Sequence, residues 1–478
     1  MKPNILFLVI DGLRADRCFG KSKSSITPNI DKLIHNGVYF NQTIASGQSS
    51  TPSVSSIFTS LYPFECLAQD GKIFVLNPNH ITHIQKLRKN GYKIHAMVQD
   101  ALEHIGFKEI FGEDNLKTYD HTKTKLWAGL GDDVLTEIEK ISKNQPWFFY
   151  LQLYDLNLLI YPYDERFKKG PNQIKNPKFG QNHYERIVSA LDIWIGKIIE
   201  KIDLKSTLVI LTSDHGLESG AYNEKLQEFD NSQRIKRMVR PGIAFNIAMR
   251  GKSIIPFRKK FTGKYKKHTR TIKENIQISE LEKIEKLELP PYEKRLMRLS
   301  TWYKSNVYDD RLHVPLIFCG HNTPSGKIVS KLSRSVDIFP TIFDMCNLSF
   351  KIENRGKSLC PLMFDKNFNE TPVFIESTVN FTDPSDSNLV GLRTSEFKYF
   401  RDRKNPLKNV HLYNLVDDPK EEYNISMKNP EMVQSFENEL IKINHNREFV
   451  VKENDDDEIG IEEAKEIERK LKEAGYIN

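Results

Sequence analysis

"MKPNILFLVIDGLRAD", residues 1–16, is the stretch whose reading decides the fold. A lysine ahead of an apolar run is also how a secretory leader begins. The run from Ile5 to Ile10 is shorter than a leader's apolar region, however, and an acidic Asp-Gly turn follows it where a small-residue cleavage site would stand. A short, unbroken apolar run is the signature of a strand buried on both faces, as in a parallel sheet. Asp11 then stands directly beyond the strand's carboxyl end.

Outward from this strand the pattern recurs. "TPNIDKLIHNGVYF" (27–40) and "ITHIQKLRKNGYKIHAMV" (81–98) each read as helix, glycine turn and strand. "QPWFFYLQLY" (145–154) reads as a strand, and "HYERIVSALDIWIGKIIEKI" (183–202) as a long amphipathic helix leading into the strand and loop "STLVILTSDHG" (206–216). Alternating strands and helices predict an α/β fold with a doubly wound, mostly parallel sheet flanked by helices, whose ligand site lies beyond the carboxyl ends of the strands. Asp11, Asp214 and His215 all stand at such ends. From about 366, "VFIEST", "LVGLRTSEFKYFRD" and "VHLYNLVDDPKEEYNIS" predict the short strands of a smaller antiparallel sheet. The expected division is a catalytic domain over 1–365, carrying a basic insertion at about 225–300, and a C-terminal subdomain over 366–478 with a terminal helix.

Composition narrows the class. A 478-residue chain with 39% hydrophobic and 28% charged residues is globular, and its net charge of +7 is small for the length. The strongest basic run, "RKKFTGKYKKHTRTIK" (258–273), interleaves cations with aromatics, but such runs are usually solvated, so no nucleic-acid partner is expected. It is expected instead at the rim of the site, favouring an anionic substrate. Cys18, Cys66, Cys319, Cys346 and Cys360 are odd in number and lack CxxC spacing, which suits free thiols. With no apolar run near the ~20 residues of a membrane span, the expected location is cytoplasmic.

"ASGQSSTPSVSSIFTSLYP" (45–63) reads as a helix start, with Ser50 and Thr51 as candidate caps, Pro52 as the first helical residue and an apolar stripe through Val54, Ile57, Phe58 and Leu61. A hydroxyl there sits in the positive field of the helix dipole. Two carboxylates, an imidazole and a hydroxyl make a suitable set of ligands for one divalent cation.

The order of these parts, with "GFKEIFGEDN" (106–115), "HVPLIFCG" (313–320) and "RSVDIFPTIFDMC" (334–346), resembles the sulfatases of the alkaline phosphatase superfamily along nearly the whole chain. The resemblance implies metal-dependent cleavage of a sulfate ester, or a related phosphoester, of an anionic small molecule or glycan. It places Ser50 on the nucleophile of a C/S-x-P-x-R stretch whose Cys or Ser is oxidised to formylglycine, and Asp11, Asp214 and His215 on the cation, which could be Ca, Mg, Mn or Zn. Several positions depart from the pattern, among them His215, which stands where many members have asparagine. Val54 replaces the arginine, which sets the expectation toward an unmodified serine. Gly12 replaces a second aspartate, and Asn157, in "YDLNLLIYPY", replaces a histidine. His313 is a candidate for protonating the leaving group or holding an anion; Arg14, Lys72, Thr51 and Asn157 are candidate substrate contacts. The Asp214-His215 pair also resembles phosphoglycerol and phosphoethanolamine transferases of the superfamily, a second expected activity. A member that binds a glycan without turnover is a third.

Overall fold

In the computed structural model, residues 2–70, 73–121, 124–156, 170–218, 278–302, 306–348, 355–377, 388–443, 450–451, 467 and 469–470 are described. The elements follow in chain order: β1 (Asn4–Ile10), α1 (Pro28–His35), β2 (Gly37–Ile44), α2 (Ser50–Thr59), a hairpin of β3 (Leu67–Asp70) and β4 (Ile73–Leu76), α3 (His83–Lys89), β5 (Lys93–Gln99), β6 (Leu116–Tyr119), α4 (Leu130–Ile141), β7 (Trp147–Leu153), α5 (His183–Glu200) and β8 (Thr207–Thr212). After the insertion come β9 (His313–Gly320), β10 (Lys327–Val329), β11 (Ser333–Arg334), α6 (Ile338–Met345), β12 (Val373–Glu376), β13 (Leu389–Arg393), β14 (Phe397–Asp402), β15 (His411–Asn414) and α7 (Pro430–Lys442).

The main sheet runs β10-β2-β9-β8-β1-β7-β5-β6, with β11 pairing beside β2. Its pairings are parallel except those of β9, which is antiparallel to both β2 and β8. β1 is central, and its alternation explains the unbroken apolar run. Ile5, Phe7 and Val9 enter one core with α2, α3 and α6, while Leu6, Leu8 and Ile10 enter the other with α1, α4 and α5. Both faces are covered, so both parities must be apolar. Each such side chain, fully buried, contributes about 1.5–3 kcal/mol. The smaller sheet, β12-β13-β14-β15, is antiparallel throughout.

By its contacts the chain divides into Met1–Gly220 with Ser305–Asn478, and Ala221–Lys304. Within the second unit, the helix Pro291–Trp302 and a small cluster around Ile284, Leu296 and Met297 are described. The basic run 258–273 and most of the expected C-terminal helix near 453–475 lie outside the described residues. The five cysteines are free thiols, four of them buried. Among the described residues, no helix is long and apolar enough to cross a membrane.

Candidate active site

The carboxyl ends of β1, β2, β7 and β8 converge on one point. Asp11 leaves β1 and Asp214 leaves β8, and both are almost wholly buried, at 1% and 0% exposure. Ser50 opens α2, the helix that follows β2. The helix begins earlier than its sequence suggests: Ser49 is the cap, with extended backbone at φ −145°, so Ser50 takes the first helical position and Pro52 falls within the first turn. Proline is tolerated there because the first-turn amides have no partner inside the helix.

Ser50 Oγ donates to Asp11 Oδ2 at 2.9 Å and lies 3.4 Å from His215 Nε2. His215 Nδ1 stands 2.9 Å from the Gly216 carbonyl, which can only accept, so Nδ1 carries a proton and Nε2 is the ring nitrogen turned toward the cluster. That Nε2 is 3.9 Å from Asp11 Oδ1 and 3.7 Å from Asp214 Oδ2.

The turns that hold these groups are cross-braced. Ser213 Oγ accepts from the Leu13 amide at 2.9 Å and donates to the Ile10 or His215 carbonyl, each 2.6 Å away, which ties the β1 and β8 loops together. Tyr184, from α5, donates to the Gly12 carbonyl at 2.7 Å and accepts from the Arg14 amide at 2.8 Å. The Gly216 amide donates to the Arg311 carbonyl at 2.6 Å, and a Cβ at position 216 would lie 2.3 Å from the Asp310 carbonyl oxygen, so only glycine permits this approach. Gly12 has φ +78°, and a Cβ there would stand 2.6 Å from Leu217 Cδ1. A second aspartate, as in the family pattern, would be strained in this conformation.

The donor set fits a divalent cation. The ligating atoms of Asp11, Asp214 and His215 all lie within 4.8 Å of one another, all three residues are buried, and the imidazole is oriented by its other nitrogen as metal-bound histidines are. A second trio, Asp100, Asp120 and His121, has similar spacing. Its Asp100 is already engaged by His121 at 2.6 Å and by the Lys470 ammonium at 3.6 Å.

Several expected contacts are occupied elsewhere. Arg14 is 5% exposed; its guanidinium lies 2.9 Å from Asp16 and 2.7 Å from Asp310 and also bonds the Leu217 carbonyl, so it braces the loop rather than presenting itself to an anion. Burial would raise the Asp16 carboxyl, but Arg14 and Arg17 outweigh it and hold the pKa at about 2. His313 begins β9 with its Nε2 donating to the Asn41 carbonyl at 2.7 Å, and the charges nearest it are Asp309, Arg393 and Asp16. Burial lowers its pKa, and it is not brought into the Asp11–Ser50–Asp214–His215 cluster. Thr51 is the next residue along α2 from Ser50 and is also buried. Lys72 and Asn157 lie outside the described residues. Val54 is 1% exposed and packs into the core of the Phe7 face, an apolar contact where the family pattern has a cation.

One member was missed in the sequence. Gln152 of β7, the register partner of Val9, is fully buried, and its amide Nε2 lies 3.4 Å from Asp11 Oδ2 and 3.5 Å from Asp214 Oδ2. A polar residue inside "FFYLQLY", otherwise a buried strand, was the available signal.

Comparison with known proteins assigns the class. The family model described as Sulfatase matches residues 3–348, and that of the N-sulphoglucosamine sulphohydrolase C-terminal region matches 300–446. The chain belongs to the sulfatase family, sulfuric ester hydrolases of the alkaline phosphatase superfamily. Among individual relatives it is similar to arylsulfatase K of Gallus gallus, 23% identical over 92% of this chain and 82% of that one. It is also 30% identical to arylsulfatase K of Homo sapiens, over 30% of this chain and 27% of that one. Its fold is similar to that of a protein solved in complex with its substrate D-glucosamine-2-N,6-O-disulfate, with a TM-score of 0.61 at 15% identity over 93% of this chain and 99% of that one. The phosphonate monoester hydrolase of Agrobacterium radiobacter matches with a TM-score of 0.59 at 17% identity, over 93% and 95%.

Proposed function

We propose that the protein hydrolyses a sulfate ester of an anionic glycan, with a divalent cation held by Asp11, Asp214 and His215 and the nucleophilic oxygen at position 50. The observation that carries this reading is the hydroxyl of Ser50, bonded to Asp11 at 2.9 Å and 3.4 Å from Nε2 of His215. Support for a glycan comes from relatives whose names include glycosaminoglycan and amino-sugar sulfatases.

When bound, the cation neutralises the buried carboxylates and polarises an ester oxygen. The chain's residues do the rest. Asp11 Oδ2 accepts the hydroxyl proton as the oxygen at position 50 attacks sulfur; the bond from sulfur to the substrate's ester oxygen breaks, and the released alcohol takes up a proton. His215, its Nδ1–H held by the Gly216 carbonyl, keeps Nε2 turned toward the cluster. The braces through Ser213 and Tyr184 hold the two acidic loops in register while charge moves between them.

Release of sulfate makes a demand on position 50. A formylglycine hydrate expels sulfate by re-forming its carbonyl, whereas a serine sulfate ester has no such exit. A second reading, favoured by Val54, keeps Ser50 unmodified and directs its oxygen at phosphorus as Asp11 Oδ2 takes the hydroxyl proton; a bound cation would supply charge neutralisation there. Peptide mass spectrometry on protein from its native host separates the two, beside turnover of aryl sulfate, phosphate and phosphodiester by wild type and Ser50→Ala. Loss of two hydrogens at residue 50 with sulfate turnover supports the first. An unmodified mass with phosphoester turnover supports the second, and full activity in Ser50→Ala removes this residue from both.

A further inference from the structure

Gln152 is out of place as a structural residue. It occupies a strand buried on both faces, and its donor nitrogen stands at nearly equal and long distances, 3.4 and 3.5 Å, from one oxygen each of Asp11 and Asp214. Good amide hydrogen bonds are shorter, near 2.9–3.0 Å, so this nitrogen is well bonded to neither carboxylate. Its Oε1 takes the Tyr150 hydroxyl at 2.8 Å. That hydroxyl belongs to a ring held by Phe58 at 5.1 Å and by Phe7 and Phe111 at 5.6 Å between centroids, so it marks a fixed point.

A cation shared by Asp11 and Asp214 would face the N–H dipoles of this amide, an unfavourable arrangement. A half-turn about the terminal torsion exchanges Nε2 and Oε1 almost without displacing atoms. Tyr150 can follow, because a phenol that donates to an amide oxygen can equally accept from an amide nitrogen. The exchanged amide would direct a carbonyl oxygen between the two carboxylates. Gly12 supplies the reason such a ligand is wanted: position 12 offers no side chain, and its φ of +78° and the nearby Leu217 disfavour a second carboxylate on the β1 turn.

Resting on the cation reading above, we propose that Gln152 is a ligand of the metal centre, its amide turned so that Oε1 joins Asp11, Asp214 and His215 and substitutes for the side chain that Gly12 lacks. The donor set then holds two carboxylates, one imidazole, one amide oxygen and the oxygen at position 50. Such a set suits Mn or Ca better than a four-coordinate zinc site.

The test is Mn2+ affinity, measured by EPR of the free ion, for wild type, Gln152→Leu, Gln152→Glu and Asp214→Ala, with circular dichroism confirming the fold of each. A ligand role predicts binding at least about tenfold weaker in Gln152→Leu. It also predicts binding as tight as wild type or tighter in Gln152→Glu, which keeps an oxygen and adds charge. Unchanged affinity in Gln152→Leu, or Gln152→Glu as weak as Gln152→Leu, overturns the proposal and leaves the amide as a donor to the carboxylates. Wild type indistinguishable from Asp214→Ala overturns the cation reading itself, together with this proposal. Should Gln152→Leu fail to fold, Gln152→Glu and Gln152→Met decide by the same comparison: Met, without an oxygen, must bind more weakly than Glu.

Discussion

Replacing Gly12 with aspartate restores the paired carboxylates of the family pattern, and a reading from sequence alone expects it to strengthen the metal site. The structure leads to the opposite expectation. At φ +78° a residue with a Cβ costs about 1–2 kcal/mol. The added atom would lie 2.6 Å from Leu217 Cδ1 and 2.7 Å from its Cγ, contacts that force repacking at about 1–3 kcal/mol. Together they predict a loss of about 2–5 kcal/mol, with no gain in affinity, because the strained turn also carries Asp11. Urea unfolding gives the loss, and Mn2+ titration gives the affinity. Leu217→Ala destabilises on its own account, so the informative quantity is the coupling: the double variant should be more stable than the sum of the singles by about 1–3 kcal/mol. A Gly12→Asp protein with wild-type midpoint and tighter metal, or a cycle with no coupling, would refute the argument from Leu217.

Other outcomes follow from the same geometry. Asp214→Ala should lose stoichiometric divalent cation, read by elemental analysis after equilibration with Mn, Ca, Mg or Zn; retention of one ion per chain contradicts the assigned ligands. Ser50→Ala should reduce turnover at least about 10^3-fold with the fold intact, since it removes the proposed nucleophilic oxygen bonded to Asp11. His83 is wholly buried between Ser60, at 2.9 Å, and the face of Phe339, and burial lowers its pKa well below 6.5. The unfolded chain therefore binds the proton that the native state refuses, and stability falls as pH drops below about 6.5, by up to about 1.4 kcal/mol per unit. His83→Leu should flatten the acid limb of a stability profile between pH 6.5 and 5; an unchanged slope tells against a neutral buried ring.

The fold was legible because both determinants are periodic. Ile5 to Ile10 must be apolar at every position when both sheet faces are covered, and α1, α3 and α5 show their buried stripes openly. Asp11, Asp214 and His215 were legible because strand ends in such sheets are where ligands bind. The partners of Arg14 and His313 were not legible for a shared reason: sequence shows a charge but not what it meets, and Asp310 and the Asn41 carbonyl come from distant parts of the chain. Ser50 was placed correctly as a helix-start residue, although the helix starts at it and not after it, a shift within the usual uncertainty of termini. Gln152 stayed hidden because one polar residue in a strand announces burial without naming its neighbours.

The insertion between β8 and β9 has a consequence for how this protein can diversify. Those strands are hydrogen-bonded neighbours, Thr212 opposite Leu316, and the chain on either side is clasped again where the Gly216 amide meets the Arg311 carbonyl. The excursion thus departs from and returns to a closed doorway beside the acidic loops. The entropy of closing such a loop grows only logarithmically, about 0.6 kcal/mol for each doubling of its length. Large changes in the length of the chain between β8 and β9 therefore leave the sheet and the brace through Gly216 nearly untouched, so that this one stretch of sequence can be rewritten while Asp11 and Asp214 stay where β1 and β8 put them.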